Sequence, residues 1–372
     1  MKSKIRRTKS PFPVYLVGPT GVGKTAVSIE LAGPLNAEIV VADSMQVYRG
    51  LDRGTAKPNP EEQKKVVHHL LDSVEITQEF NVAQFVQSAQ KAIESIQIRS
   101  KTPLVVGGTG LYIRSLIDGI FKGPGRDGPI RQQLEKEADQ QGWASLYDRL
   151  KKVDLAAALK IEPQNHRRLI RALEVYELTG KPISSFQGQW GLTRISHHIS
   201  TQSANSASSA SSDSVGPAQR TVEYASQGLG RPPCIQSGLD GLATKSDEKS
   251  GLGQREACLI GLDRNRDELR SRIDERVEGM FKAGLVSEVK ALLSKEIENH
   301  PVVMQAIGYK EVISFLKGQT TLEEAKQQVK FHSRQFAKRQ RTWFRKDSRI
   351  QWFLFEKGES SLEMAKRILM WL

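Results

Sequence analysis

The chain has 372 residues, 38% of them hydrophobic and 26% charged, and a formal net charge of +13 at pH 7. That length supports a sizeable core and two domains, and no stretch is apolar for long enough to cross a bilayer. The positive excess favours a polyanionic partner, either nucleic acid or an anionic membrane.

The opening MKSKIRRTKS is basic with no apolar run behind it, so no secretory signal is expected, and residues 1–12 read as a disordered basic arm. Residues 1–124 otherwise form the first part of an α/β core. PVYLVG, EIVVADS and PLVVGGTG are short apolar runs, and TAVSIELAGPL after the first has helical spacing. Strands alternating with helices imply a parallel sheet covered on both faces, with the chemistry in loops at the strands' carboxyl ends.

Between the first run and its helix lies Gly18-Pro19-Thr20-Gly21-Val22-Gly23-Lys24-Thr25, a G-x-x-x-x-G-K-[ST] phosphate loop in its proper context. Glycines let successive N–H groups face phosphate oxygens, and the helix N-terminus adds positive charge. Lys24 supplies a point charge and the Thr25 hydroxyl a ligand for Mg²⁺. The motif implies binding of a di- or triphosphate, not hydrolysis. Asp43 ends the second apolar run, where it can contact Mg²⁺, act as a general base or cap a turn. Position favours the first two and does not separate them. His68 and His69 have no Cys or carboxylate at ligand spacing and read as structural.

From about Asp127 the pattern is helical, over IRQQLEKEADQQGWASLYDRLKKV and HRRLIRALEVYELTGK, with Gly180 as a C-cap. Residues 125–190 are therefore expected to be an inserted all-helical domain. Residues 196–254, rich in Ser, Gly, Ala and Gln, cannot bury enough apolar surface to order and read as a disordered insertion. Residues 255–372 return to the core, with helical patterns over Leu262–Leu293 and Leu322–Phe344 and basic C-terminal helices. Cys234 and Cys258, the only cysteines, form no metal cluster or disulfide framework and suit a reducing cytoplasm. Thr244-Lys245-Ser246-Asp247 approximates a guanine-specific motif but lies in the low-complexity segment. A small-molecule kinase fits the phosphate loop; it leaves the basic C-terminal segment unexplained.

Several ordered segments resemble one family, the tRNA dimethylallyltransferases: the phosphate loop, Asp43-Ser44-Met45-Gln46-Val47-Tyr48, Gly54-Thr55-Ala56-Lys57-Pro58, His68 to Asp72, Pro103 to Tyr112, Arg168 to Lys181, Arg266 to Val277, Ala306 to Lys310 and Ala337 to Arg345. The chain departs from the family at Pro163-Gln164-Asn165 and at Val67. The resemblance implies a phosphate-loop NTPase-like core and transfer of a dimethylallyl group from dimethylallyl diphosphate to N6 of the adenosine 3′ to the anticodon, by a monomer acting on the tRNA anticodon stem-loop.

It also implies roles. Asp43 would be the base, Arg276 would stabilise the departing diphosphate, and Thr109 would line the channel. The alternative for Arg276 is a surface ion pair with Asp274 or Glu275. Gly18, Thr20, Gly21, Val22, Gly23, Lys24 and Thr25 would hold the diphosphate, with Mg²⁺ on Thr25. An adenine must flip out of the loop to react; Ser44, Met45 and Gln46 would meet it, Gln46 both donating and accepting. Arg131, Arg167, Arg168, Arg171, Gln305, Gly308, Tyr309, Lys310, Lys338, Arg339, Gln340, Arg341, Trp343 and Arg345 would contact tRNA, with Phe336 and Phe344 in the core.

Overall fold

A computed structural model describes residues 12–120, 123–187, 257–294 and 300–372. The basic arm up to residue 11 and the segment 196–254 lie outside the described residues. The sheet contains β1 (Val14–Val17), β2 (Ala37–Val41), β3 (His68–His69), β4 (Thr102–Gly107), β5 (Cys258–Asp263) and β6 (Gln351–Leu354) in the order β3-β2-β4-β1-β5-β6. Every pairing is parallel. The three anticipated apolar runs supply β1, β2 and β4, and all three are buried along their lengths apart from Thr102 at the start of β4. β5 corrects the expected helix over Leu262–Leu293: Leu262 and Asp263 close a fully buried strand, and the helix starts only at Arg266.

Helices α1 (Lys24–Ala32), α2 (Pro60–Lys65), α3 (Val82–Ile98) and α4 (Gly110–Asp118) come from the first part of the chain. Leu16, Ile39, Leu104 and Ile260 on one sheet face join Val27 and Leu31 of α1 in one apolar cluster. Val17, Val40, Val105 and Leu259 on the other face join Phe85 and Ala89 of α3 and Ile113 and Leu116 of α4 in a second. The alternation along each strand thus feeds two cores, as a sheet covered on both faces requires.

α5 (Gly128–Gln141), α6 (Trp143–Val153), α7 (Leu155–Ala158), α8 (His166–Thr179) and α9 (Ile183–Gln187) follow. Asp127 caps α5 by accepting from Ile130 N at 2.9 Å, and Gly142, at φ 85°, splits the long helical stretch in two. Leu134, Leu146, Leu150, Leu169 and Leu173 pack into an apolar cluster separate from the sheet. Gly180 ends α8 in the left-handed conformation, as the C-cap reading expected.

Glu174 lies among these apolar residues and is fully buried. It takes Arg131 Nε and Nη2 at 2.7 and 2.9 Å, Arg171 Nη1 at 2.7 Å and the Asp127 N–H at 2.8 Å. Despite the cost of burial, these donors hold its carboxyl down to about 2, below the ordinary value of 4.5. A depressed carboxylate stabilises the fold above its unfolded pKa and loses that contribution as pH falls through the folded one. The insertion is therefore expected to lose stability between about pH 4.5 and about 2. Glu174→Ala, which leaves two arginines facing each other, should destabilise it by about 3–5 kcal/mol at neutral pH. Thermal unfolding of the variant against wild type checks both; a melting temperature unchanged by the substitution would contradict the assignment.

The chain returns through α10 (Arg266–Lys282), α11 (Leu285–Leu293), α12 (Pro301–Gln305), α13 (Tyr309–Leu316), α14 (Leu322–Phe344) and α15 (Ser361–Trp371). α14 spans the range expected for it. Thr321 begins it with a capping box, Thr321 accepting from Glu324 N while Glu324 accepts from Thr321 N. Phe344 is fully buried, as anticipated, whereas Phe336 is only partly so. His68 Nδ1–H donates to Val66 O at 2.9 Å, and His69 pairs with Glu38 at 2.7 Å, which gives both histidines structural roles.

Candidate active site

Four strands end at one place. The phosphate loop leaves β1, Asp43 follows β2, Gly108 and Thr109 follow β4, and Arg264 follows β5. Gly18, at φ 148°, passes so close to β5 that a Cβ would sit 2.5 Å from Leu262 O, and Gly23 caps α1 in the left-handed region at φ 111°. Neither position admits a side chain without strain. The N–H groups of Gly21, Gly23, Lys24 and Thr25 have no protein acceptor among the described residues, so a row of donors at a helix N-terminus is available to an anion. Thr20 differs from the expectation. Its N–H is given to Gln340 Oε1 at 2.8 Å and its hydroxyl accepts from Arg276.

Lys24 Nζ bonds Gly18 O at 3.0 Å and Pro19 O at 2.9 Å, which leaves one ammonium N–H. Burial pulls its pKa down to about 8; Asp43 opposes the fall and Arg276 adds to it. An anion binds the protonated form, so affinity for diphosphate should be level below about pH 8 and decline above it, by up to ~tenfold per pH unit. Titration calorimetry with magnesium diphosphate across pH 6.5–9.5 checks this; affinity rising with pH would contradict it.

Asp43 divides its carboxylate. Oδ1 accepts from Met45 N at 2.9 Å and Gln46 N at 3.3 Å, while Oδ2 has no protein donor among the described residues. The turn-capping role, the least favoured of the three in sequence, is thus real and uses one oxygen, leaving the other for chemistry. Ser44 N donates to Thr109 Oγ1 at 3.1 Å, which joins the turn after β2 to the turn after β4. Thr109 stands at the N-cap of α4 without capping it, because its hydroxyl is turned to Ser44. Gln46 donates both amide hydrogens, to Thr55 O at 3.1 Å and Ala56 O at 3.3 Å. Only its oxygen remains to accept from a ligand, which corrects the expectation that it both donates and accepts.

Arg276 is not in a surface ion pair. Asp274 pairs with Arg334 at 3.5 Å and Glu275 accepts from Ser271, while Arg276 reaches back to the Thr20 hydroxyl and to Thr55 O at 3.5 Å. Its Nε is buried without a partner among the described residues, and burial lowers its pKa against the opposing charge of Asp43. A buried guanidinium with an unspent donor beside a phosphate loop is suited to an incoming anion.

Two arginines escaped the sequence reading. Arg264 Nε donates to Val22 O at 2.9 Å and its guanidinium lies 3.4 Å from the Phe355 ring centre, and Arg272 Nε donates to Gly21 O at 3.2 Å. They brace the loop by its carbonyls, so that the loop's N–H groups are left for a ligand. In sequence, Arg272 lies within the Arg266 to Val277 segment that carries the family resemblance, and Arg264 lies just ahead of it.

The residues expected at RNA separate into two groups. Arg167, Arg168, Gln305, Lys310, Lys338 and Arg339 are exposed, and so is Arg345, although it also reaches Asp263. The rest are engaged in the fold. Arg131 and Arg171 hold Glu174, and Arg171 also donates to Pro124 O and Gly125 O. Gly308 is buried, at φ 101°, and donates to Glu311 at the start of α13. Tyr309 is fully buried with its hydroxyl on Glu288 at 2.6 Å, and its ring lies where a Cβ on Gly54 would be. Arg341 and Arg345 both donate to buried Asp263, at 2.8 and 3.1 Å. Trp343 packs over Gly110, and Gln340 is buried.

The family model described as IPP transferase matches residues 46–210 and 233–347. The chain is 38% identical over 339 residues to a tRNA dimethylallyltransferase of Geobacter sulfurreducens, covering 91% of this chain and 90% of that one. It is 40% identical over 351 residues to one of Carboxydothermus hydrogenoformans, covering 94% and 93%. Among solved structures, a tRNA isopentenylpyrophosphate transferase of Bacillus halodurans is 35% identical, with a TM-score of 0.59 over 97% of this chain and 96% of that one. A eukaryotic dimethylallyltransferase acting on tRNA, at 24% identity, shares the fold with a TM-score of 0.67 over 97% of this chain and 78% of that one.

Proposed function

We propose that this chain, which belongs to the IPP transferase family, moves a dimethylallyl group from dimethylallyl diphosphate to N6 of the adenosine on the 3′ side of a tRNA anticodon. The observation that carries the reading is the pairing of an acceptor oxygen with a phosphate cradle. Among the described residues Asp43 Oδ2 is unspent, and its charge acts on both Lys24 and Arg276 beside four loop N–H groups without an acceptor.

An exocyclic adenine amine is a poor nucleophile, because its lone pair is delocalised into the ring. The allylic carbon gains positive charge as diphosphate leaves. Catalysis needs a proton acceptor at the amine and positive charge at the leaving oxygens. The N6–C bond forms as the C–O bond to diphosphate breaks, and the N6 proton passes to Asp43 Oδ2. Lys24, Arg276 and the loop N–H groups hold the charge that gathers on the diphosphate. The Thr25 hydroxyl makes no side-chain hydrogen bond among the described residues and is a hard-oxygen donor that, alongside phosphate oxygens, would suit Mg²⁺. Bound there, the ion would neutralise diphosphate charge. The exposed cations Arg167, Arg168, Lys310, Lys338 and Arg339 support RNA binding through its phosphates.

Labelled dimethylallyl diphosphate and an anticodon stem-loop, incubated with the protein and Mg²⁺, test the reading. Label should pass to RNA with an equal release of diphosphate, and chelation of the metal should stop it. Turnover of ATP without RNA, and no label transfer, would replace the reading with a kinase.

A further inference from the structure

Gln340 was expected at the RNA. The structure instead buries it at 6% exposure and spends both ends of its amide on the active site. Oε1 accepts from Thr20 N in the phosphate loop at 2.8 Å, and Nε2 donates to Gly108 O in the turn after β4 at 2.8 Å. The orientation of the amide is unambiguous, because one partner only donates and the other only accepts. Contact is close: a Cβ on Gly108 would lie 2.3 Å from Nε2, and one on Gly110 would lie 2.3 Å from the Trp343 ring. α14 therefore rests directly on the backbone of the Gly107–Gly110 turn.

Each end leads to a reacting group. Thr20, held by its N–H, receives the Arg276 guanidinium on its hydroxyl. Gly108, held by its carbonyl, precedes Thr109, whose hydroxyl accepts from Ser44 N beside Asp43. No other side chain among the described residues makes hydrogen bonds to both turns. Arg276 serves the leaving group and Asp43 the amine, so the distance between the two halves of the reaction is set across this amide.

We propose that Gln340 is a positioning residue: it fixes the phosphate loop against the Thr109–Asp43 turn so that leaving group and amine meet in register, and it does not contact RNA. This rests on the prenyl-transfer reading above. Misplacement of reacting groups by about 1 Å costs on the order of 10²-fold in rate, and a strut between two loops is where such a shift would arise.

Two substitutions test it. Gln340→Met keeps length and volume but removes both hydrogen bonds. It should fold, bind the stem-loop with wild-type affinity, bind magnesium diphosphate more weakly, and lose about 10²-fold in kcat/KM with kcat falling as well as KM rising. Gln340→Glu can reproduce both bonds only when protonated, its carbonyl accepting from Thr20 and its O–H donating to Gly108 O. Its activity relative to wild type should recover as pH falls from 8 to 5, with folding monitored by circular dichroism at each pH, and Gln340→Met should show no recovery. Wild-type kinetics in Gln340→Met, weakened RNA binding with normal diphosphate affinity and kcat, or no acid recovery in Gln340→Glu would each overturn the proposal. Diphosphate affinity is read without RNA or prenyl donor, so wild type failing to transfer label would sink the prenyl-transfer reading while leaving the effect of Gln340 on the loop measurable.

Discussion

Asp43→Asn is expected to lower the rate of prenyl transfer by about 10²–10⁴-fold while leaving stem-loop affinity near wild type. Asparagine keeps an oxygen to accept from Met45 N and Gln46 N, so the turn that presents Ser44 and Gln46 should survive. What is lost is Oδ2, the acceptor for the N6 proton. A second consequence separates this account from a purely structural role for the residue. The charge of Asp43 supports the protonated form of Lys24, whose pKa stands at about 8. Without it, the pH at which diphosphate affinity begins to decline should move toward acid. Single-turnover transfer and diphosphate titration on the same preparation measure both. A wild-type rate, or an unmoved pH break, would count against the assignment.

Arg276→Ala is expected to cost about 10²–10³-fold in kcat, the usual scale for removing one charge-stabilising donor from a closed site. Its position supports so large an effect: the side chain extends from α10 to the Thr20 hydroxyl, and its Nε is buried without a partner among the described residues. Arg276→Lys should recover little. An ammonium cannot reproduce a planar fork that reaches Thr20 and Thr55 and still offers a donor to the diphosphate. Removing Arg276 also takes a repelling charge from Lys24, so the pH break in diphosphate affinity should shift toward base, opposite to the Asp43 variant. Opposed shifts from two variants that both slow transfer would be hard to obtain from general damage to the fold. A kcat unchanged in Arg276→Ala would remove the arginine from the chemistry.

The parts of the fold legible in sequence were those with local causes. β1, β2 and β4 are apolar runs ended by glycine or Asp43, and α14 starts at a capping box. β5 was lost because Cys258–Asp263 is buried on both faces, and such a run has the same periodicity as the start of a buried helix. β3 has only two residues, and β6, although as long as β1, fully buries only Phe353. The phosphate loop and Asp43 could be read because each follows directly from a strand. The role of Gln340 could not, since its partner Thr20 lies 320 residues away, and Arg276, whose bond to Thr20 spans 256 residues, is placed at the diphosphate only by the family resemblance. The structural role of Arg131 and Arg171 is hidden in sequence for a related reason. A cation on an amphipathic helix looks available to RNA unless its counter-charge is noticed, and Glu174 stands in the apolar stripe between Leu173 and Val175.

The most direct measurement maps the prenyl group itself. An anticodon stem-loop treated with labelled dimethylallyl diphosphate, Mg²⁺ and either wild type or Asp43→Ala is digested and its nucleosides identified by mass spectrometry, with RNA binding measured in parallel. The account predicts label on N6 of the adenosine 3′ to the anticodon with wild type, and none with a variant that still binds the RNA. Label on another position, or undiminished labelling by Asp43→Ala, would contradict it.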